Sequence, residues 1–114
     1  MSSMITRQEL QAKMNRKEPV VLVEALPEGA YRKGHLPGAI HLPHDRVRDL
    51  APKALPDKDA AIVTYCASAT CQNSHIAADT LRAMGYTNVG VYAGGKQDWA
   101  EAGLALDANE TQPA

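Results

Sequence analysis

Residues 60–66 read Ala60-Ala61-Ile62-Val63-Thr64-Tyr65-Cys66, and residues 67–74 continue Ala67-Ser68-Ala69-Thr70-Cys71-Gln72-Asn73-Ser74. The first stretch is a short apolar run rich in β-branched residues. Such a run suits a strand covered on both faces, as in a parallel sheet. The second stretch is small and polar. Beyond it, Ile76, Ala77, Leu81 and Met84 fall at helical spacing over 74–84, and Gly85 supplies a stop. The predicted order is therefore strand, cysteine, polar loop, helix.

The same alternation extends in both directions. Thr6-Arg7-Gln8-Glu9 reads as a capping box, with Ile5 and Leu10 at the staple positions, and predicts a helix over 6–15. Val20-Val21-Leu22-Val23 predicts a second buried strand. Pro27, Gly29, Gly34, Pro37 and Gly38 punctuate residues 24–38 and predict a long ordered loop. Ala39–Leu42 reads as a short strand, and 45–55 as a Pro-interrupted helix carrying Val47, Leu50, Ala51 and Leu55. Val89–Tyr92 is a further strand. Gly94-Gly95 turns the chain into a helix over 96–102 around Trp99, a core anchor. Residues 1–4 are expected to fray and 107–114 to form a loose tail around a core of 5–106. Alternating strands and helices predict an α/β domain with a mostly parallel sheet. In such sheets ligands bind beyond the carboxyl ends of the strands, where Cys66 falls.

The 114 residues fit a single domain over 1–114, able to bury about two-thirds of its unfolded surface. Hydrophobic residues make up 45% and charged residues 22%, which excludes wholesale disorder. The net charge of −1 shows no basic stripe, so nucleic acid is not expected as a partner. No apolar run approaches the roughly 20 residues of a membrane span, so no membrane partner is expected. The polar stretch over 1–19 lacks the apolar centre of a secretory signal, and the expected location is the cytoplasm. In a reducing compartment, two cysteines five positions apart suggest chemistry before architecture.

A loop entering a helix can turn several amide N–H groups toward one point, and the helix start adds partial positive charge. A cysteine facing that field is expected to ionise more readily, and the thiolate is the nucleophile. The backbone from Ala67 to Asn73 is the expected anion nest, with Ser74 donating to sulfur or capping the helix. A cysteine at a strand end is also often a small buried hydrophobe, and that reading stays open.

Four stretches resemble the rhodanese-like family. Gly34-His35-Leu36-Pro37-Gly38-Ala39-Ile40-His41-Leu42-Pro43 is similar to its GH-I-PGA-I-x-x-P signature, and Ile62-Val63-Thr64-Tyr65-Cys66 to its active-site strand and cysteine. Residues 77–89 resemble the helix, GY and NV elements that follow. Gly94-Gly95-Lys96-Gln97-Asp98-Trp99 resembles the GG-x-x-x-W element. The resemblance implies a central parallel sheet flanked by helices on both faces. It implies a sulfurtransferase or sulfur carrier that takes a sulfane sulfur onto Cys66 as a persulfide and passes it to a thiol or protein acceptor. It implies no bound metal or organic cofactor.

Two departures bear on the donor. The family loop commonly closes on Arg-Ser five residues after the cysteine; here the loop is two residues longer and Asn73 precedes Ser74. The first strand commonly ends in Asp-x-Arg and here ends Glu24-Ala25-Leu26. An Arg would grip thiosulfate with a bidentate fork, so a persulfide or polysulfide donor is expected over thiosulfate. Rhodanese-like phosphatases share a longer loop but need its Arg, so phosphatase activity is not expected. Cys71 is a candidate resolving thiol, or else an inert one packed under the helix. Cys66, Cys71 and His75 are too few for a structural zinc site, and no metal is expected. His35 is read as a structural hydrogen bonder. Glu24 either orients a neighbour or sits solvated, and Arg46 and Arg48 either attract an anion or face water. Two alternatives to sulfur transfer remain: a Cys66/Cys71 redox relay, and a non-catalytic binding module.

Overall fold

A computed structural model describes residues 3–107 of the chain. Its elements alternate: β1 Ser3–Met4, α1 Arg7–Asn15, β2 Val21–Glu24, α2 Glu28–Lys33, β3 Ile40–His41, α3 Val47–Ala54, β4 Ile62–Tyr65, α4 Asn73–Ala83, β5 Val89–Tyr92 and α5 Gly95–Glu101. The strands form one sheet in the order β1-β5-β4-β2-β3, and every pairing is parallel. β4 is the middle strand. Val21 to Glu24 align with Ile62 to Tyr65 on one side, and Val89 to Tyr92 align with the same residues on the other. All four β4 residues are buried, which explains its unbroken apolar run.

Side-chain alternation along the strands divides the core. Val23, Ile62, Val89 and Val91 pack with Val47 and Ala51 of α3 and Ala77, Ala78 and Leu81 of α4. Leu22, Val63, Tyr65 and Tyr92 pack with Leu10 of α1 and Trp99 of α5. Helices therefore cover both faces. Each fully buried aliphatic side chain in these layers contributes about 1.5–3 kcal/mol.

Local sequence rules account for most boundaries. Thr6 caps α1 through its side chain, and Glu9 returns the bond to the Thr6 amide at 3.0 Å, completing the capping box. Gly85, at φ +100°, follows α4 as the left-handed stop. Trp99 is buried, with its indole N–H donating to the Ala105 carbonyl at 2.9 Å.

Three expectations need correction. The loop predicted over 24–38 contains α2, a helix with no buried residue. Apolar periodicity is blind to such a helix. Pro27 enters it, Glu28 lies in its first turn, and Arg32 and Lys33 in its last, an arrangement that suits the helix dipole. Residues 3–4, expected to fray, form β1: they align with Gly90 and Val91, and the Ile5 N–H donates to the Val91 carbonyl at 2.8 Å. The bonds are main-chain ones and Met4 is 62% exposed, so composition carries no signal of them. Asp107, the first residue of the expected tail, exchanges two main-chain hydrogen bonds with His35, at 2.8 and 2.9 Å. Residues 1–2 and 108–114 lie outside the described residues.

Candidate active site

The chain leaves β2 through α2 toward β3, and leaves β4 through α4 toward β5 on the other side. The carboxyl ends of β2 and β4 thus flank the point where the connections diverge, the usual site for a ligand in an open parallel sheet. Cys66 is the first residue past β4. Its carbonyl accepts from the Lys96 N–H at 2.9 Å, and the Ala67 carbonyl accepts from the Gln97 N–H at 2.8 Å. The first amides of α5, which have no partner inside the helix, clamp the strand exit. Gly95 makes this approach possible. Its φ is +66°, and a Cβ there would stand 2.4 Å from the Cys66 carbonyl oxygen. Thr64 ties the other flank, donating through Oγ1 to the Ser74 carbonyl at 2.9 Å.

The Cys66 sulfur sits beneath the loop, and the residue is 1% exposed. Its thiol is shared between the Cys71 carbonyl oxygen at 3.4 Å and Ser74 Oγ at 3.5 Å. Burial pushes the Cys66 thiol up, and its hydrogen bond with the Cys71 side chain adds to the rise. The Ser74 hydroxyl and amide pull the other way without reversing it. This corrects the expectation of an easily ionised Cys66. Cys71 is half-buried and shifts oppositely. Burial raises its thiol, but the Cys66 thiol and the amides of Asn73 and Ala67 outweigh it and bring Cys71 down.

The expected nest is therefore divided. Ser74 serves Cys66, while Ala67 and Asn73 serve Cys71. The Cys71 N–H is spent on the Ser68 carbonyl at 3.1 Å. Ser68 Oγ and Thr70 Oγ1 bond each other at 3.1 Å rather than turning inward. Ala67, Ala69, Thr70 and Gln72 are exposed, and Ser68 and Asn73 half-buried. Gln72 precedes α4 without a side-chain cap, and no acidic residue lies in the first turn. Ser74 is the second residue of the helix, so its hydroxyl serves the sulfur and does not cap.

Beside the strand exit lies a buried polar network that the sequence reading missed in part. Glu24 is fully buried and accepts from the Tyr65 hydroxyl at 2.8 Å and from Lys96 Nζ at 3.1 Å. Lys96 Nζ also donates to the carbonyls of Ala30 at 3.0 Å and Gly34 at 2.8 Å, which uses all three of its protons. Burial, then the Glu24 charge, holds the Tyr65 hydroxyl far above its ordinary range. Tyr65 also receives the Leu36 N–H at 3.0 Å. The only sequence signal for Lys96 is its place directly after the double glycine.

Other candidates resolve simply. His35 is buried, its Nδ1 lies 2.8 Å from the Tyr31 carbonyl, and its ring stacks on Tyr31 at 3.9 Å. Arg46 and Arg48 are exposed, and Arg46 pairs with Asp49 at 3.5 Å. Among the described residues, no three His, Cys, Asp or Glu side chains group as metal ligands, and no helix is long and apolar enough to cross a membrane. A cavity of about 440 Å³ lies at the opposite, amino ends of the strands, around Ala61, Ile62 and Val89.

The rhodanese-like domain family model matches residues 6–102. The HTH-type transcriptional regulator Rv0324 of Mycobacterium tuberculosis is 36% identical over 103 residues, covering 90% of this chain and 44% of the relative. Thiosulfate sulfurtransferase PspE of Escherichia coli is 37% identical over 70 residues, covering 61% of this chain and 64% of the relative. The chain thus spans less than two-thirds of either relative. The BH2092 protein of Bacillus halodurans superposes with a TM-score of 0.86 at 24% identity, over 94% of this chain and 77% of that one, which shows the shared fold.

Proposed function

This chain belongs to the rhodanese-like domain family, and from that premise we propose that it is a sulfurtransferase working through a persulfide on Cys66. Residues 5–106 act as one domain in this reading. The observation that carries it is the seat of Cys66: past the central strand, fixed by α5, with the Ser74 amide and hydroxyl turned to its sulfur.

The burial of that sulfur sets the first step. The loop over 67–72 lifts to admit a donor, and the thiol loses its proton as water or donor replaces the Cys71 carbonyl. The thiolate then attacks the donor's sulfane sulfur. A new S–S bond forms, the donor's S–S bond breaks, and the rest of the donor leaves as a thiolate, a shortened polysulfide or sulfite, for a persulfide, a polysulfide or thiosulfate in turn, the thiol proton having passed to water. The Ser74 amide and hydroxyl and the start of α4 hold the persulfide's negative charge. An acceptor thiolate attacks the outer sulfur, and Cys66 departs as thiolate. The partners are a small sulfur donor (persulfide, polysulfide or thiosulfate) and a thiol or protein acceptor. No metal or cofactor enters the scheme.

Asn73 at the loop's close favours a persulfide or polysulfide over thiosulfate. PspE is by name a thiosulfate sulfurtransferase, so thiosulfate is the donor against which this preference is measured. The experiment is sulfur transfer to cyanide with each donor. Cys66→Ser is expected to abolish transfer, and polysulfide to exceed thiosulfate. Full transfer by Cys66→Ser overturns the assignment, and equal rates overturn the preference.

The binding-module reading has one observation in its favour, the burial of Cys66 together with its raised thiol. It predicts no transfer with any donor and a Cys66 that resists alkylation in the folded protein.

A further inference from the structure

The polar loop that closes over Cys66 brings its own sulfur. Cys71 is half-buried within the 67–72 loop, and its carbonyl oxygen stands 3.4 Å from Cys66 Sγ. The Cys71 N–H closes a turn on the Ser68 carbonyl at 3.1 Å, which curls the loop back toward the strand exit. The Cys66 thiol and the Ala67 and Asn73 amides together bring the Cys71 thiol below its ordinary range. Both cysteines are reduced, and Cys71 is only half-buried. A disulfide demands a Cα separation of under about 7 Å, which a loop curled back on the strand exit can reach. The loop that carries Cys71 is two residues longer than the family pattern it resembles.

We propose that Cys71 resolves the Cys66 persulfide, converting it into a Cys66–Cys71 disulfide and releasing the carried sulfur as hydrosulfide. The proposal rests on the reading of Cys66 as persulfide carrier. The Cys71 sulfur attacks Cys66 Sγ, and a Cys66–Cys71 bond forms. The bond from Cys66 Sγ to the outer sulfur breaks, and that sulfur leaves as HS−, carrying the proton from the Cys71 thiol. The two protein sulfurs are oxidised to a disulfide as the sulfane sulfur is reduced to sulfide, so no outside oxidant enters. A small dithiol reductant returns both thiols, giving up two electrons and two protons. The lowered Cys71 thiol favours attack, since the thiolate is the attacking form.

This makes the protein a self-clearing carrier. Loaded sulfur that meets no acceptor is discharged as sulfide, and the disulfide blocks reloading until a reductant arrives.

The experiment uses the reduced, full-length chain and a small excess of inorganic polysulfide, quenched at intervals and followed by intact mass with sulfide measured in parallel. The wild type is expected to gain about 32 Da, then fall to about 2 Da below its starting mass as sulfide appears. Cys71→Ser is expected to keep the added sulfur about tenfold longer or more and to form no disulfide. Cys66→Ser should gain no sulfur. If the wild type keeps its added sulfur as long as Cys71→Ser does, resolution is overturned while sulfur carriage stands. If Cys71→Ser never gains sulfur, or Cys66→Ser gains it on Cys71, Cys66 is not the carrier and both readings fall.

Discussion

The two ends of the Cys66 loop are built differently. At the strand end, Cys66 and Ala67 are gripped through their carbonyls by the first amides of α5, Gly95 is pressed against the Cys66 oxygen, and the Lys96 side chain is anchored among Glu24, Ala30 and Gly34. At the helix end, residues 67–72 are largely exposed and hold one another through a Ser68–Cys71 turn and a Ser68–Thr70 contact. The Cys66 sulfur sits on the well-anchored side and the loop that covers it on the lightly held one. In the proposed reading, that difference lets the cover lift without moving the nucleophile, with stability at one end and chemistry at the other.

The most damaging way to break the anchored end is Lys96→Met. Glu24 is fully buried and Lys96 only 15% exposed, so the change strands a carboxylate inside the protein. The expected loss is about 3–5 kcal/mol in urea unfolding. Adding Glu24→Gln should restore much of it; a double variant as unstable as the single one would show that the pair is not a unit. Gly95→Ala comes next. The left-handed backbone alone costs about 1–2 kcal/mol, and the overlap with the Cys66 carbonyl adds to it. A midpoint unchanged from wild type would mean that α5 does not clamp the strand exit.

Substitutions at the cover should spare the fold and alter chemistry. Asn73→Arg returns a guanidinium to the loop and is expected to raise kcat/KM for thiosulfate about tenfold, about 1.4 kcal/mol, with little change for polysulfide. An equal rise with both donors would mean that the fork does not recognise the anion. The smallest expected effect is in alkylation by iodoacetamide. Cys71 should label ahead of Cys66 at neutral pH, by a few-fold beyond its greater exposure. The Cys66 rate should keep rising with pH beyond the ordinary thiol range, because its proton is held more tightly in the fold. Cys66 labelling first, with a plateau near neutrality, would reverse the division of the amides.

Legibility in the sequence followed the same divide between packing and main-chain bonding. The β4 run, the Thr6–Glu9 box and the Gly85 stop each announce themselves through side-chain chemistry, and each is present. The alternation of strands and helices gave the parallel sheet. What was missed is held by main chain or by distant partners. α2 buries nothing, β1 pairs through its backbone, and Asp107 joins His35 by amide and carbonyl alone. Lys96 and Glu24 are 72 positions apart, and no local pattern connects them. At the candidate site, spacing predicted the order of strand, Cys66, polar loop and helix, and β4 and α4 flank the segment in that order. It did not foresee that the loop's amides would favour the second sulfur, because that depends on how the two added residues curl.

Which of the two sulfurs receives the cargo decides between sulfur carriage on Cys66 and any other role. The direct measurement is to trap wild-type protein within seconds of mixing with polysulfide, alkylate it, and locate the extra sulfur by peptide fragmentation, which must separate Cys66 from Cys71 within one peptide. The sulfur is predicted on Cys66, with a disulfide to Cys71 appearing only later. Extra sulfur found first on Cys71, or on neither residue, would contradict the account.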